Sequence, residues 1–422
     1  MVAMQLDFQI MPADKNLMDR FAGQQPAGGR LRTPLPLTIR LHSRMEPLEV
    51  DWRRLEREDN LSLHQSYDWC RAWASTHRTE LLIVEGLSAD RTVMILPLEI
   101  IRSGPLRTAR FIAAPFSNLN TGLFSDAFRM LAEPPRLREA LDSARGAFAD
   151  HVDLFLLENM PLAWRGVPHP FSDLPAVRNQ NASFQLPLYA DFDKTLAQVN
   201  AKRRRKKFRT SERRLEALGG YEHVIAETAG DASALLDAFF RQKAARFEAM
   251  GLPNVFRGAE TQAFFRALAT GPRTPEAYPL SLHAIRLTAD NAGRIVAIAG
   301  LSRKGDHVIC QFGSIDETIA ADASPGEFLF HLAIQKFCGE GVSLFDFGIG
   351  DQLYKRSWCT IETEQYDLLW PTTVAGHAAA ALHRAKANAK RFIKQNPQLY
   401  GFLQRLRSGK TEFVDTRQPS DD

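Results

Sequence analysis

Asp346 stands between Phe345 and Phe347, and Tyr354 and Lys355 follow it just beyond a glycine-rich turn, Gly348-Ile349-Gly350. An acid set among aromatic residues has its carboxyl pKa pushed upward, towards the range of a general base. The same acid can instead be a structural partner for a neighbouring lysine or arginine. Tyr354 offers a proton donor, and Lys355 a cation for a developing oxyanion. Upstream, Ser324-Pro325-Gly326-Glu327-Phe328 opens a helix whose first N–H groups and positive dipole end suit a phosphate or pyrophosphate. Two further cations sit where apolar residues are expected. Arg204 falls within the stripe Ala201, Phe208, Leu215 and Leu218 of a helix that carries the Lys/Arg run of 202–209, continued by Arg213 and Arg214. It requires either a structural acid or an anionic ligand. Lys243 lies along Leu236, Phe240, Phe247 and Met250, either snorkelling at an edge or pointing into a cleft.

The elements that position these residues are legible from periodicity. Helices are expected over 231–250 and 261–269, then strands over 282–288, 294–302 and 307–314, with Gly293 and Lys304-Gly305-Asp306 as turns. The Ser324 helix and a strand over 344–348 complete the second half. The first half offers the same order: a helix through Tyr67, Trp69, Cys70, Trp73 and Ala74, strands over 81–84 and 92–100, a helix over 137–149 and a strand over 152–157. The expected organisation is a disordered leader over 1–36, two α/β (α+β) halves over 37–190 and 191–374, and a basic helical tail over 375–422. A 422-residue chain exceeds one ordinary core, which agrees with two halves.

A net charge of +4 tolerates anionic ligands without marking a nucleic-acid protein. The basic run at 202–214 reads as a solvated face, with one or two arginines available to substrate or phosphate; the interleaved aromatics of a base-stacking surface are missing. The four cysteines, Cys70, Cys310, Cys338 and Cys359, form no CxxC pair and no zinc spacing, so no metal is expected and a reducing cytoplasm fits. No Gly-x-Ser-x-Gly elbow, P-loop or His-Glu-x-x-His is present, and Gly348-Ile349-Gly350 is too short for a dinucleotide fingerprint, which argues against hydrolase, NTPase and dehydrogenase chemistry.

Taken together, Gln311-Phe312-Gly313-Ser314, Ser324-Pro325-Gly326, and Phe345-Asp346-Phe347-Gly348-x-Gly350-Asp351 with Tyr354-Lys355 resemble GNAT-superfamily acetyltransferases of the CelD/BcsL type. That group is similar in turn to Fem-type aminoacyl transferases. The resemblance extends to Arg241-x-Lys243-x-x-Arg246-Phe247, to Arg214-Leu215-Glu216-x-Leu218-Gly219 and to Gln65-Ser66-Tyr67-Asp68-Trp69, and spans about Leu37 to Leu369. It implies two tandem GNAT-like domains, each a mixed central sheet flanked by helices, with acetyl-CoA or another acyl-CoA as co-substrate. On that pattern the backbone of Gln311, Phe312 and Gly313 holds the pantetheine arm. The amides of Gly326, Glu327 and Phe328, after Ser324, take the pyrophosphate. Transfer is direct, with Asp346 handling the acceptor proton, Tyr354 serving the leaving thiolate, and Lys355 and Lys243 meeting an oxyanion or an anionic substrate. Arg204 joins Lys243 as a substrate contact. The helix start departs from the Gln/Arg-x-x-Gly-x-Gly/Ala loop of ordinary GNAT enzymes, which leaves aminoacyl-tRNA as a second donor class. The family's links to cellulose and exopolysaccharide synthesis imply a saccharide acceptor and contact with membrane-bound synthesis machinery; a non-catalytic scaffold in such a complex is the competing role.

Overall fold

Two large β-sheets of matching design and one separate two-stranded pair make up the β-structure of a computed structural model, which describes residues 37–131 and 134–395. The expected leader and the end of the basic tail lie outside the described residues. In chain order the strands are β1 (Leu37–His42), β2 (Glu80–Ser88), β3 (Arg91–Ser103), β4 (Leu106–Phe111), β5 (Leu123–Phe124), β6 (Leu154–Met160), β7 (Ala163–Trp164), β8 (Val167–Pro168) and β9 (Ala176–Arg178). They continue with β10 (Ser183–Pro187), β11 (Tyr221–Ile225), β12 (Ala277–Leu287), β13 (Ile295–Lys304), β14 (His307–Ile315), β15 (Leu344–Ile349), β16 (Ile361–Thr363) and β17 (Tyr366–Pro371). The first sheet runs β1-β2-β3-β4-β6-β17-β9, with β5 on β3, and the second β11-β12-β13-β14-β15-β10-β16.

Position by position the two sheets agree. Each has three antiparallel pairings, then one parallel pairing, then two antiparallel ones. The sixth strand of each comes from outside the run that builds the rest: β10 precedes the second sheet's other strands, and β17 returns to the first after β16. The equivalence that the sequence carries only as element order is thus a repeated mixed-sheet architecture.

The helices are α1 (Glu49–Leu55), α2 (Tyr67–Thr76), α3 (Asp126–Leu131), α4 (Pro134–Ser143), α5 (Arg145–Ala149), α6 (Phe192–Ala197), α7 (Ala201–Ala217), α8 (Ala229–Ala249), α9 (Ala259–Ala269), α10 (Pro325–Gly339), α11 (Leu353–Trp358) and α12 (Val374–Gln395). Alternation along β12 assigns their faces. Leu280, Leu282 and Ala284 pack with Leu236, Phe239 of α8 and Phe264 of α9, whereas Ile285 and Leu287 pack with Phe328, Ile334 and Phe337 of α10. So α8 and α10 cover opposite faces of the second sheet. The α8–α9 layer also joins the two sheets, because Trp69 and Trp73 of α2 meet Phe264 edge-on at 5.3 and 5.2 Å. No helix among the described residues is long and apolar enough to cross a membrane.

Candidate active site

The parallel pairings create the site. β14 and β15 pair only at His307–Leu344, Val308–Phe345 and Ile309–Asp346, although β14 continues to Ile315 and β15 to Ile349. Beyond Ile309 the strands part, leaving an edge of β14 without a strand partner and opening a cavity of 710 Å³. Its walls come from both faces of the sheet, with α8 residues on one side and α10 and α11 residues on the other. The first sheet parts in the same way after Thr108–Leu154 and Ala109–Phe155. There the chain fills its own gap. The backbone and side-chain amides of Asn120 donate to Asn159 O at 2.9 Å and Glu158 O at 2.8 Å, and Asn159 Nδ2 donates to Ser117 O at 3.1 Å.

Gln311 is the extra residue of a β-bulge, because Gly300 faces Phe312 while Leu301 faces Cys310. Its side chain donates to Ser302 Oγ at 3.1 Å and lies 3.0 Å from Nε2 of the buried His64. Burial lowers the His64 pKa to about 4. Phe312 borders the cavity and stacks on Phe239 at 4.1 Å. A Cβ on Gly300 would stand 2.4 Å from the Phe312 ring, so only glycine leaves that ring its place. Gly313 lines the cavity with backbone. Cys310 lies there too, its thiol pushed up to about 12 by burial.

The start of α10 is more restricted than its sequence suggests. Ser324 adopts φ 48°, ψ 52°, a left-handed conformation costly for a non-glycine residue. The Phe328 amide already donates to Ser324 O at 3.1 Å, and Pro325 has no N–H. The expectation of three amides from Gly326 to Phe328 is therefore corrected to two, those of Gly326 and Glu327. The Phe328 side chain also faces away, stacked on Phe208 at 4.8 Å. Glu327 borders the cavity, and its carboxylate is held by Arg204 at 2.8 Å and Lys207 at 2.6 Å. Without those cations it would repel a phosphate at the same helix end.

That pairing answers the question posed by Arg204. It meets a structural acid, donates to Ser357 Oγ and lies 4.1 Å over Trp358, and it does not border the cavity. Of the remaining basic run, Arg205 pairs with Asp193 and Arg214 with Asp322, while Lys202, Arg203, Lys206, Arg209 and Arg213 are exposed.

Asp346 is fully buried and absent from the cavity wall. Phe347 and Ile349 line the cavity, so alternation turns Asp346 to the other side. Its carboxylate accepts the Gly348 N–H at 2.7 Å and Gln185 Nε2 at 3.1 Å; His307 Nε2 lies 3.7 Å away, beyond hydrogen-bond length. Direct contact between Asp346 and an acceptor in this cavity is thereby corrected to an indirect role. The bond to Gly348 fixes a turn at φ 71°, and the carbonyls of Gly348 and Ile349 receive the Lys355 ammonium at 3.2 and 2.7 Å. Lys355 borders the cavity, and burial lowers its pKa. Tyr354 stacks on Phe330 at 5.8 Å, and its phenol pKa is raised by burial. Lys243 reaches the cavity from α8.

Asn118, which the sequence did not single out, enters from the first half. It lines the cavity, with Nδ2 3.5 Å from Gln311 Oε1, and a Cβ on Gly348 would lie 3.0 Å from its Cγ. Nothing in its local sequence marks it, since its place follows from the loop that fills the first sheet's gap.

Parts of this chain are similar to known proteins. Residues 202–356 match the family model described as an acetyltransferase (GNAT) domain. The crystal structure of FemX shares the fold at 13% identity, with a TM-score of 0.55 over 76% of this chain and 96% of that one. Two weaker likenesses are a conserved protein of unknown function from Bacteroides thetaiotaomicron and a tandem GNAT protein from the clavulanic acid biosynthesis pathway. The former is 12% identical, with TM-score 0.49 over 79% of this chain and 99% of that chain. The latter is 13% identical, with TM-score 0.43 over 80% and 99%. No curated protein sequence matches the chain significantly.

Proposed function

We infer that the protein transfers an acyl group from an acyl-coenzyme A to an amine or hydroxyl, and that the cavity between β14 and β15 is where it does so. The observation that carries this reading is the parting of the two strands after Ile309, which leaves a β14 edge free to bond an extended amide-bearing arm. The group fits the residues present. The bulged segment Gln311–Gly313 would hold the pantetheine amides, and the amides of Gly326 and Glu327 a phosphate. Bound there, an acyl-coenzyme A supplies the acyl group as a thioester.

The chain's own side chains divide the remaining work. Tyr354 keeps its proton, because burial disfavours the phenolate, and can deliver it to sulfur as a thiolate develops. Lys355, fixed by two carbonyls, supplies a cation for oxyanion charge. Asp346 positions Lys355 through the Gly348 turn. Acetyl is the expected acyl group, and a saccharide the acceptor that the CelD/BcsL resemblance favours. Lys355→Ala should lower thiol release from acetyl-CoA about a hundredfold while leaving coenzyme A affinity within a few-fold. Equal rates for variant and parent, followed by thiol titration with a panel of amine and sugar acceptors, would remove Lys355 from the chemistry. If coenzyme A is not bound at all and aminoacyl-tRNA is, the donor assignment is wrong.

A further inference from the structure

The α8 side of the cavity is built from Lys243, Arg246, Phe247, Met250 and Leu252, on the sheet face opposite α10. It contains a cation with no counter-charge. Arg246 is engaged by Glu317 at 2.6 Å, whereas no carboxylate lies within ion-pair distance of Lys243 among the described residues. Burial and then the like charge of Arg246 lower the Lys243 pKa, so its surroundings disfavour the ammonium. Phe239 and Phe247 lie 6.0 and 5.9 Å from its ammonium, at the outer limit of a cation–π contact, so they replace little of the water it has lost. The carboxylate that borders the cavity, Glu327, is already shared by Arg204 and Lys207. A cation part-buried without an acid is poorly compensated until an anion arrives. Beside it, Met250 and Leu252 are 56% and 47% exposed, an apolar shelf continuous with Phe247.

We propose that the acceptor is an amphiphilic anion. It carries the amine or hydroxyl that receives the acyl group, a carboxylate or phosphate bound by Lys243, and an apolar part resting on Phe247, Met250 and Leu252. This rests on the acyl-transfer reading of the same cavity, with the thioester along β14 and the acceptor approaching from α8. The nucleophile's lone pair forms the bond to the acyl carbon. The carbon–sulfur bond breaks with its electron pair on sulfur, Tyr354 protonates the departing thiolate, and the proton that the acceptor's nitrogen or oxygen sheds on becoming an amide or ester returns to Tyr354, restoring the phenol.

Binding and turnover test the two layers separately. Isothermal titration of the full chain, saturated with coenzyme A, is made with 3-phenylpropionate, phenyl phosphate and neutral 3-phenylpropanol. At least one anion should bind about tenfold more tightly than the alcohol, and which one it is separates carboxylate from phosphate. Lys243→Gln should reduce that preference to less than about threefold; Met250→Glu, at an exposed position, should weaken the anion selectively and guards against a misfolded first variant. An alcohol bound as tightly as both anions, a preference untouched by Lys243→Gln, or no anion bound at millimolar concentration overturns the proposal. Thiol release is then followed with phenylalanine and phenethylamine as acceptors. An anion preference in binding with no turnover of either leaves the Lys243 site standing and removes the acyl-transfer reading.

Discussion

Asp346 shows how far a residue's surroundings decide its role. From the sequence it stands as an acid among aromatics beside a tyrosine and a lysine, and the alternation that would separate it from them depends on which face the cavity occupies. The structure puts Phe347 on the cavity and Asp346 behind it, where two hydrogen bonds hold the Gly348 turn that carries Lys355. Asp346→Asn replaces one acceptor oxygen with a donor facing either an N–H or an amide group. It should cost about 1–3 kcal/mol of stability and lower turnover at least tenfold, with coenzyme A affinity nearly unchanged. Denaturant melts and thiol-release kinetics check both parts; an unchanged rate would show that Lys355 holds its place without Asp346. Arg204 was legible in a different way. Its misfit in an apolar stripe required an anion, and the anion proved to be Glu327, a partner 123 residues away that no local pattern could supply.

Among the elements, helices and strands with strong periodicity were readable, including α7, α8, α10 and the three strands β12 to β14. Their pairing was not, because strand order depends on contacts between distant segments. The gap between β14 and β15, the bulge at Gln311 and the exchange of β10 and β17 leave no mark in composition. The loop that closes the first gap presents Asn118 to the second. The first half then serves as a wall of the site. On that account Asn118→Ala should raise the acceptor KM several-fold and leave coenzyme A affinity alone. Steady-state kinetics with the acceptor varied would reveal it, and an effect on coenzyme A binding alone would assign Asn118 to the donor side instead.

The molecule as a whole buries several histidines in their neutral form. Burial lowers His64, His169 and His331 to about 4 and His283 to about 3. Unfolded, each takes a proton near 6.5, so between pH 6.5 and about 4 the unfolded chain binds more protons and stability falls as pH falls. Each histidine contributes up to about 1.4 kcal/mol per pH unit across that window. The melting temperature should therefore drop steeply from pH 6.5 to 4.5, by calorimetry at constant ionic strength; a flat profile would mean that these rings are protonated in the fold. Joined through α2 and α9, the two sheets leave one open strand gap, and the claim that it binds the donor can be tested directly. Coenzyme A titrated into the parent and into Gly326→Val, whose new side chain would crowd Ile315 at 3.0 Å from the Cβ position, gives the answer by calorimetry. Binding to the parent should be saturable, and binding to the variant at least tenfold weaker. Equal affinity in both would place the donor elsewhere.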